Sequence, residues 1–129
     1  MLNKLSEKWA DQLYAVFRIL VGVLFVQHGL QKIFGLFGGQ AQSLVSLMGL
    51  AGIIELVGGL LLALGLLTRW AALVSGIQMI VAYIMVHAPQ GWVPLVNKGE
   101  LALLYLAAFL AILAYGAGTW SLDQALSGK

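Results

Sequence analysis

The sequence contains no cysteine, and only 9% of its 129 residues are charged. The absence of cysteine excludes disulfide bonds, thiolate metal sites and thiol–disulfide chemistry by this chain. Soluble domains are typically about 25% charged, whereas this chain is 61% hydrophobic. A soluble domain of this size could not bury so much apolar surface, so the composition predicts a single integral membrane domain. The small net charge of +2 is spread along the chain and predicts no nucleic-acid partner.

Proline is scarce as well, and both prolines fall in residues 88–99, together with two glycines and a tryptophan. This content predicts a loop. The apolar runs around it predict four membrane-spanning helices, at about 13–34, 50–67, 70–86 and 100–116. We also expect residues 1–12 to lie along the membrane surface, a short interfacial helix at about 40–48, and a final short helix capped by Ser121 and Gln124. The predicted fold class is therefore all-α, a polytopic membrane four-helix bundle.

The distribution of basic residues predicts the direction of the four spans. If the N-terminus is cytoplasmic, five basic residues fall on or near the cytoplasmic side, and these are Lys4, Lys8, Arg18, Arg69 and Lys129. Two, Lys32 and Lys98, fall on the other side. The excess favours both termini in the cytoplasm. The very short polar turn Thr68-Arg69 also predicts that the second and third spans form an antiparallel hairpin.

This orientation brings polar residues that are distant in sequence into the outer half of the bundle. They are Gln27, His28, Lys32, Glu55, Tyr83, His87 and Glu100. Glu55 is the most informative of them, because it has no charged neighbour on its own apolar helix. A charge inside a membrane helix costs about 2.5–3.5 kcal/mol on insertion scales. We therefore expect Glu55 to face the bundle interior, within reach of His28 or Lys32.

Several of the polar residues of the chain also have a purely structural interpretation. Lys32, Lys98 and Glu100 could be interface anchors, His28 a packing histidine, and Arg69 a topology signal. The glycines of the spans are expected to be packing notches between helices. His28 and His87 could in principle ligate a haem, and with Glu55 and Glu100 they could hold zinc or iron. Chance placement explains these sets better, so we expect neither haem nor metal.

Four motifs in order resemble the DoxX family of small bacterial and archaeal membrane proteins. The first is R-x-x-x-G-x-x-F-x-x-H-G-x-x-K, from Arg18 to Lys32, and the second is E-L-V-G-G-L-L-L-A-L-G-L-L-T-R, from Glu55 to Arg69. The others are His87 with Gly99-Glu100, and Y-G-A-G-T-W-S-L-D from Tyr115 to Asp123. The resemblance covers roughly residues 13–123. It departs from the family pattern at Ala117, where proline is frequent.

The resemblance implies a four-helix membrane protein with a redox function, since some members are subunits of quinone-linked complexes such as thiosulfate:quinone oxidoreductase. A quinone site needs an apolar slot, hydrogen-bond donors and a proton path. We therefore select Glu55, His28 and Lys32 as candidate catalytic residues. The candidate cofactor-binding residues are Arg18, Gln78, Tyr83, His87 and Glu100.

Two functions from different classes remain open at this stage. The first is a quinone-linked oxidoreductase subunit in the bacterial or archaeal cytoplasmic membrane, with electrons exchanged through a soluble or membrane partner. The second is a non-catalytic anchor or assembly subunit for a soluble redox enzyme. A small-molecule carrier is a weaker third, because the chain is short and shows no clear inverted repeat. The sequence leaves open whether the chain forms a homo-oligomer.

Overall fold

The structure, a computed structural model, describes residues 1–128, so Lys129, counted above among the basic residues, lies outside the described part. The described chain is all-helical, which confirms the predicted fold class. Its helices are α1 (Leu2–Phe34), α2 (Leu47–Leu64), α3 (Thr68–Ala82), α4 (Pro94–Asn97), α5 (Glu100–Tyr115) and α6 (Leu122–Leu126). A π-helical turn, Tyr83–His87, and a 3₁₀ turn, Ala88–Gln90, extend α3 without a break.

The lengths of the helices bear on the number of membrane spans. Within residues 1–128, three helical segments are long and apolar enough to cross a membrane, and these are Leu2–Phe34, Leu47–Leu64 and Thr68–Gln90. The fourth predicted span, α5, is an apolar helix of 16 residues. At about 1.5 Å per residue it is roughly 24 Å long, somewhat less than the hydrocarbon core of about 30 Å. The four-span topology thus stays a prediction.

Two predicted elements near α1 and α2 differ in the structure. Residues 1–12 do not form a separate surface segment, because α1 is unbroken from Leu2 to Phe34. The interfacial helix at about 40–48 is wrong: residues 40–46 are not helical, and α2 already begins at Leu47. The backbone N–H of Gln42 donates to the Lys32 carbonyl at 2.7 Å. The Ser46 hydroxyl accepts from Gly49 N–H at 3.0 Å, so this segment folds onto the end of α1 and caps α2.

Glycine notches on α1 and α2 allow close packing of the two helices. A Cβ at Gly22 would lie 2.4 Å from the backbone nitrogen of Ala63, and one at Gly29 would lie 2.5 Å from that of Leu56. Real Cβ atoms do not approach so closely, so only glycine permits this backbone contact. The packing role predicted for these glycines is confirmed. The helix α3 packs against both α2 and α5, which completes a four-helix arrangement.

The hairpin of α2 and α3 is confirmed, with its turn slightly displaced. The two helices are joined by Gly65–Leu67, just before the predicted Thr68-Arg69. Gly65 ends α2 in the left-handed conformation, with a φ of 67°. Gly35 ends α1 in the same way, with a φ of 69°. The core between the helices is formed by Phe25, Leu62, Phe109 and Ile112, each at most 1% exposed.

The C-terminal segment closes the end of the bundle at which the α2–α3 turn lies. Arg18 is fully buried, and its guanidinium donates to the Leu62 carbonyl at 2.9 Å and to the Trp120 carbonyl at 2.8 Å. It also donates to the carbonyls of Ala117 and Thr119. We expected Arg18 near a membrane face, where a long basic side chain reaches water. Instead, its guanidinium joins α1 to α2 and to the segment after α5.

Asp123 fixes the same end of the bundle. Its carboxylate accepts hydrogen bonds from the backbone N–H of Leu67 at 2.8 Å and of Thr68 at 2.9 Å, and so caps α3. Burial alone would raise the pKa of Asp123, but the hydrogen bonds from Thr68 and Leu67 and the charge of Arg18 lower it below its ordinary value. The predicted cap of the last helix is confirmed on one side, since Ser121 Oγ accepts from Gln124 N–H at 3.2 Å.

Candidate functional site

Glu55 lies inside the bundle on α2 and is bonded from both neighbouring helices. It is 3% exposed, and its Oε1 forms an ion pair with the Lys32 ammonium of α1. Gln78 of α3 donates to the same oxygen at 3.1 Å. The predicted contact between Glu55 and the first span is therefore confirmed. A buried carboxylate is tolerated in an apolar helix when a cation and a hydrogen-bond donor compensate it.

Two oxygens of the polar group formed by Lys32, Glu55 and Gln78 have no hydrogen-bond partner. Among the described residues, Glu55 Oε2 and Gln78 Oε1 are both buried and accept no hydrogen bond. An unsatisfied buried acceptor costs about 1–3 kcal/mol. Glu55 Oε1 is therefore satisfied by Lys32 and Gln78, whereas Glu55 Oε2 and Gln78 Oε1 each lack a hydrogen-bond donor.

The wall of a cavity of about 490 Å³ contains this group, and we call the space the Glu55 cavity. Its lining is mostly aliphatic and comes from α1, α2, the extended α3 and α5. Its polar or aromatic lining residues are Phe25, His28, Lys32, Glu55, Gln78, His87, Lys98 and Tyr105. Exposed apolar residues of α2 and α3, such as Leu50 and Ile77, also contribute, so the cavity opens between these two helices. Its size and lining are typical of sites for small organic molecules.

His28 packs against an aromatic ring at the inner wall of the cavity. The ring of Tyr105 on α5 meets it edge to face, with the centroids 5.7 Å apart. Phe25, one turn before His28, contacts Tyr105 at 5.1 Å between centroids and Phe109 at 4.9 Å. His28 is half-buried and lines the cavity. It is thus both a packing residue and a polar group available to a ligand.

The loop after α3 is organised by Asn97, which is fully buried. Its amide donates to the Gly91 carbonyl at 2.7 Å and to the Tyr83 hydroxyl at 3.1 Å, and its Oδ1 accepts from Gly99 N–H at 2.8 Å. The Asn97 carbonyl lies 3.1 Å from His87 Nδ1. A carbonyl can only accept, so Nδ1 carries the proton and Nε2 of the neutral ring is an acceptor. The π-helical turn, a feature frequent at functional sites, holds Tyr83 and His87 beside this loop.

The structure brings together five of the eight candidate residues. Lining the Glu55 cavity are Glu55, His28, Lys32, Gln78 and His87. Arg18 is not among them, because its guanidinium is committed to carbonyls at the other end of the bundle. Tyr83 supports the loop without lining the cavity, with its hydroxyl 3.2 Å from the Trp92 carbonyl. Glu100 is exposed in the first turn of α5 and lies outside the cavity, where its charge favours the helix N-terminus.

Three residues of the site were not selected from the sequence. Tyr105 and Lys98 line the cavity, and Asn97 holds the loop that carries Lys98. Tyr105 carries the one polar side chain in the middle of α5, and that signal could have identified it. Nothing in the local sequence distinguishes Asn97 from an ordinary loop asparagine. Within residues 1–128, no group of three or more His, Asp or Glu side chains is placed to hold a metal ion.

Similarity to known proteins identifies the family to which this chain belongs. A family model, that of DoxX, matches residues 13–88, which is more than half of the chain. The protein belongs to the DoxX family. This match includes Arg18, Lys32, Glu55 and Gln78 and ends just after His87, so the resemblance inferred from the motifs is confirmed.

Relatives of this DoxX protein extend over most of its length. A protein of Haemophilus influenzae, described as uncharacterized, is 40% identical over 125 residues, 92% of this chain and 93% of its own. An uncharacterized membrane protein of Mycobacterium tuberculosis is 31% identical over 132 aligned positions, covering 87% of this chain and 80% of its own. No solved structure matches the chain. The chain is thus a DoxX family membrane protein, and these relatives are described as uncharacterized.

Proposed function

We propose that this protein is the membrane subunit of a quinone-linked oxidoreductase and that a quinone-type ring occupies the Glu55 cavity. The observation that carries the proposal is an apolar cavity of about 490 Å³ with a charged Lys32–Glu55 pair and Gln78 in its wall. An apolar slot that opens between two lipid-facing helices suits a ligand that arrives from the bilayer. The few polar groups inside it suit a ligand with polar oxygens on an apolar ring.

The polar residues have distinct tasks under this proposal. The Lys32 ammonium and the His28 ring can donate hydrogen bonds to ligand oxygens, and Glu55 can exchange a proton with them. His87 also lines the cavity, and with Nδ1 held by the Asn97 carbonyl its Nε2 can accept a hydrogen bond. The chain has no cysteine to ligate an iron–sulfur cluster. Electrons are therefore exchanged with a soluble or membrane redox partner.

The location and topology belong to the same proposal. We place the chain in the cytoplasmic membrane of a bacterium or archaeon, with both termini cytoplasmic and the Glu55 cavity in the outer half. Support comes from the separation of basic residues, since Arg18 and Arg69 lie at the end closed by the C-terminal segment. Lys32 and Lys98 line the cavity at the opposite end. This separation agrees with the positive-inside rule.

A cavity-filling substitution tests the proposal. Ala82 lines the cavity, whereas Ala107 of α5 is exposed and lies outside it. Protein purified in lipid nanodiscs should release quinone on solvent extraction, in an amount approaching one per chain for the wild type and Ala107→Trp. Ala82→Trp should release much less. Equal quinone in both variants, or none in the wild type, would show that the cavity is not a quinone site.

A second candidate function is a non-catalytic anchor or assembly subunit. The observation in its favour is that Lys32 and Gln78 already compensate Glu55 Oε1, as they would in a purely structural ion pair. Breaking one side of a buried pair typically costs about 3–5 kcal/mol, because the other charge remains buried. The anchor function therefore predicts that Lys32→Met lowers thermal stability and that Lys32→Met/Glu55→Gln restores both stability and function. The quinone function predicts restored stability with activity still lost.

A further inference from the structure

The atoms of the Glu55 cavity that lack partners share one property. Glu55 Oε2 and Gln78 Oε1 are buried without hydrogen bonds, and both can only accept. They belong to residues on facing helices that are already joined by the bond from Gln78 Nε2 to Glu55 Oε1. Both residues line the cavity. We call the part of the lining formed by Glu55 and Gln78 the deep wall. It lacks a donor for these two oxygens, and a ligand hydroxyl that reaches them removes the cost of an unsatisfied acceptor.

The ligand group that best suits these two acceptors is a neutral hydrogen-bond donor. Lys32 already balances the charge of Glu55, and a second lysine, Lys98, lines the same cavity. A cationic ligand would be repelled by two lysines, and the one carboxylate that could attract it is already paired with Lys32. A carbonyl oxygen placed against the deep wall would face two acceptors without a proton to share, whereas a phenolic O–H would donate to a carboxylate in a charge-assisted hydrogen bond.

We propose that the Glu55 cavity binds the reduced, hydroxyl-bearing form of its ring ligand in preference to the oxidised dione. This inference rests on the proposed quinone function and adds which redox state is recognised. One ring hydroxyl donates to Glu55 Oε2, with Gln78 Oε1 as the adjacent acceptor. The ring lies in the aliphatic slot between α2 and α3. Preferential binding of the reduced form raises the midpoint potential of the bound couple, by about 30 mV for each tenfold difference in affinity.

The test compares three ligands of nearly the same shape. Tetramethyl-1,4-benzoquinone, its hydroquinone and the hydroquinone dimethyl ether would be titrated anaerobically into wild-type protein in nanodiscs. Ligand partitioned into lipid would be subtracted with protein-free nanodiscs of the same lipid. We expect the hydroquinone to bind at least about tenfold more tightly than the other two, the factor expected for one charge-assisted hydrogen bond. The ether has the same ring without O–H donors, so this comparison does not depend on a variant that folds.

Variants of the deep wall provide the second arm. Glu55→Gln can place an amide donor where Oε2 lies, so we expect the preference for the hydroquinone to disappear. Glu7→Gln is the chemically matched control. Glu7 is exposed near the start of α1 and does not line the cavity, whose first lining residue on this helix is Phe25. If hydroquinone, quinone and ether bind alike, or the quinone binds best, the inference is wrong while the quinone site stands. If none of the three binds, the proposed function fails as well.

Discussion

Arg18 illustrates how a single buried charge can be structural rather than functional. It lies in the span that also supplies Lys32, and both were candidate site residues, Lys32 as a catalytic and Arg18 as a cofactor-binding residue. Their surroundings differ: Lys32 meets a carboxylate in a cavity, whereas Arg18 meets only backbone carbonyls. Those carbonyls lie at the end of α2 and in the turn after α5, where helices leave acceptors unpaired. A guanidinium with five donors suits this task better than an ammonium.

Replacement of Arg18 by lysine should destabilise the protein strongly. A lysine keeps the charge but cannot donate in four directions from one plane, so carbonyls at the bundle end would lose their partners at about 1–3 kcal/mol each. The matched comparison is Arg69→Lys, because Arg69 is exposed and donates to only the Leu113 and Ala114 carbonyls. Thermal unfolding in detergent should show a much larger loss for Arg18→Lys. Equal losses would contradict the role of the Arg18 guanidinium in joining α1 to α2 and to the segment after α5.

Asp123 gives a prediction about pH. Its pKa is lowered in the folded protein, so its capping of α3 is fully present above the ordinary aspartate pKa of 3.8 and is lost as the pH falls through the lower folded value. At neutral pH, Asp123→Asn should lower the free energy of unfolding by about 0.5–2 kcal/mol, the range for loss of a helix cap. Thermal melts of both proteins from pH 7 to pH 2.5 should converge at the acid end. A gap of constant size would show that the carboxylate charge is not what stabilises the cap.

At the scale of helices, close packing of α1 and α2 positions the Lys32–Glu55 pair. Gly29 lies three residues before Lys32, and Leu56 follows Glu55, so one of the close backbone contacts between α1 and α2 lies beside the pair. The helices of a membrane protein approach this closely where small residues face each other. Gly76 on α3 is different, since the nearest atom to a Cβ there would be Phe109 Cβ at an ordinary 3.7 Å.

Gly29→Ala should therefore separate α1 from α2 and weaken the ion pair, whereas Gly76→Ala should be tolerated. The distance between spin labels on two exposed residues of these helices, Val23 of α1 and Leu60 of α2, would report the helix separation directly. We expect Gly29→Ala to lengthen this distance and to reduce quinone retention, with Gly76→Ala close to the parent. If Gly29→Ala leaves both unchanged, the notch does not control the geometry of the site.

Some features of the fold and of the site were predicted from the sequence, and others were not. Apolar runs, small-residue spacing and the isolated charge of Glu55 predicted the helices, the α1–α2 notches and the Lys32 contact, because lipid leaves few solutions for such residues. The interfacial helix at about 40–48 was wrong because Ser46 acts as a cap rather than as part of a helix. The role of Asn97 depends on residues brought close only by folding, so no local pattern indicated it, whereas the lone polar side chain in the middle of α5 was a signal for Tyr105.

For the whole molecule, the short helix α5 decides the topology. Three segments are long enough to span, and α5 has 16 residues, so hydropathy and length alone leave a three-span or four-span protein. The contacts favour four. The Tyr14 hydroxyl donates to the Gly116 carbonyl at 2.5 Å, and Arg18 donates to the Trp120 carbonyl, so the end of α5 lies beside residues 14–18 of α1. The start of α5 is at the other end, where Ala102 lines the Glu55 cavity.

Reporter fusions at residue 91 and after residue 126 should therefore give signals from opposite sides of the membrane, with the C-terminal reporter on the cytoplasmic side. The physical reason is that α5 returns the chain to the end at which α1 contains Tyr14 and Arg18, and that end has the excess of basic residues. Insertion of four leucines after Leu110 would lengthen the apolar stretch of α5 and should leave the side of each reporter unchanged. Signals from the same side would mean that α5 does not cross. The cavity would then lack its fourth wall in the membrane, and the quinone proposal would fail with the topology.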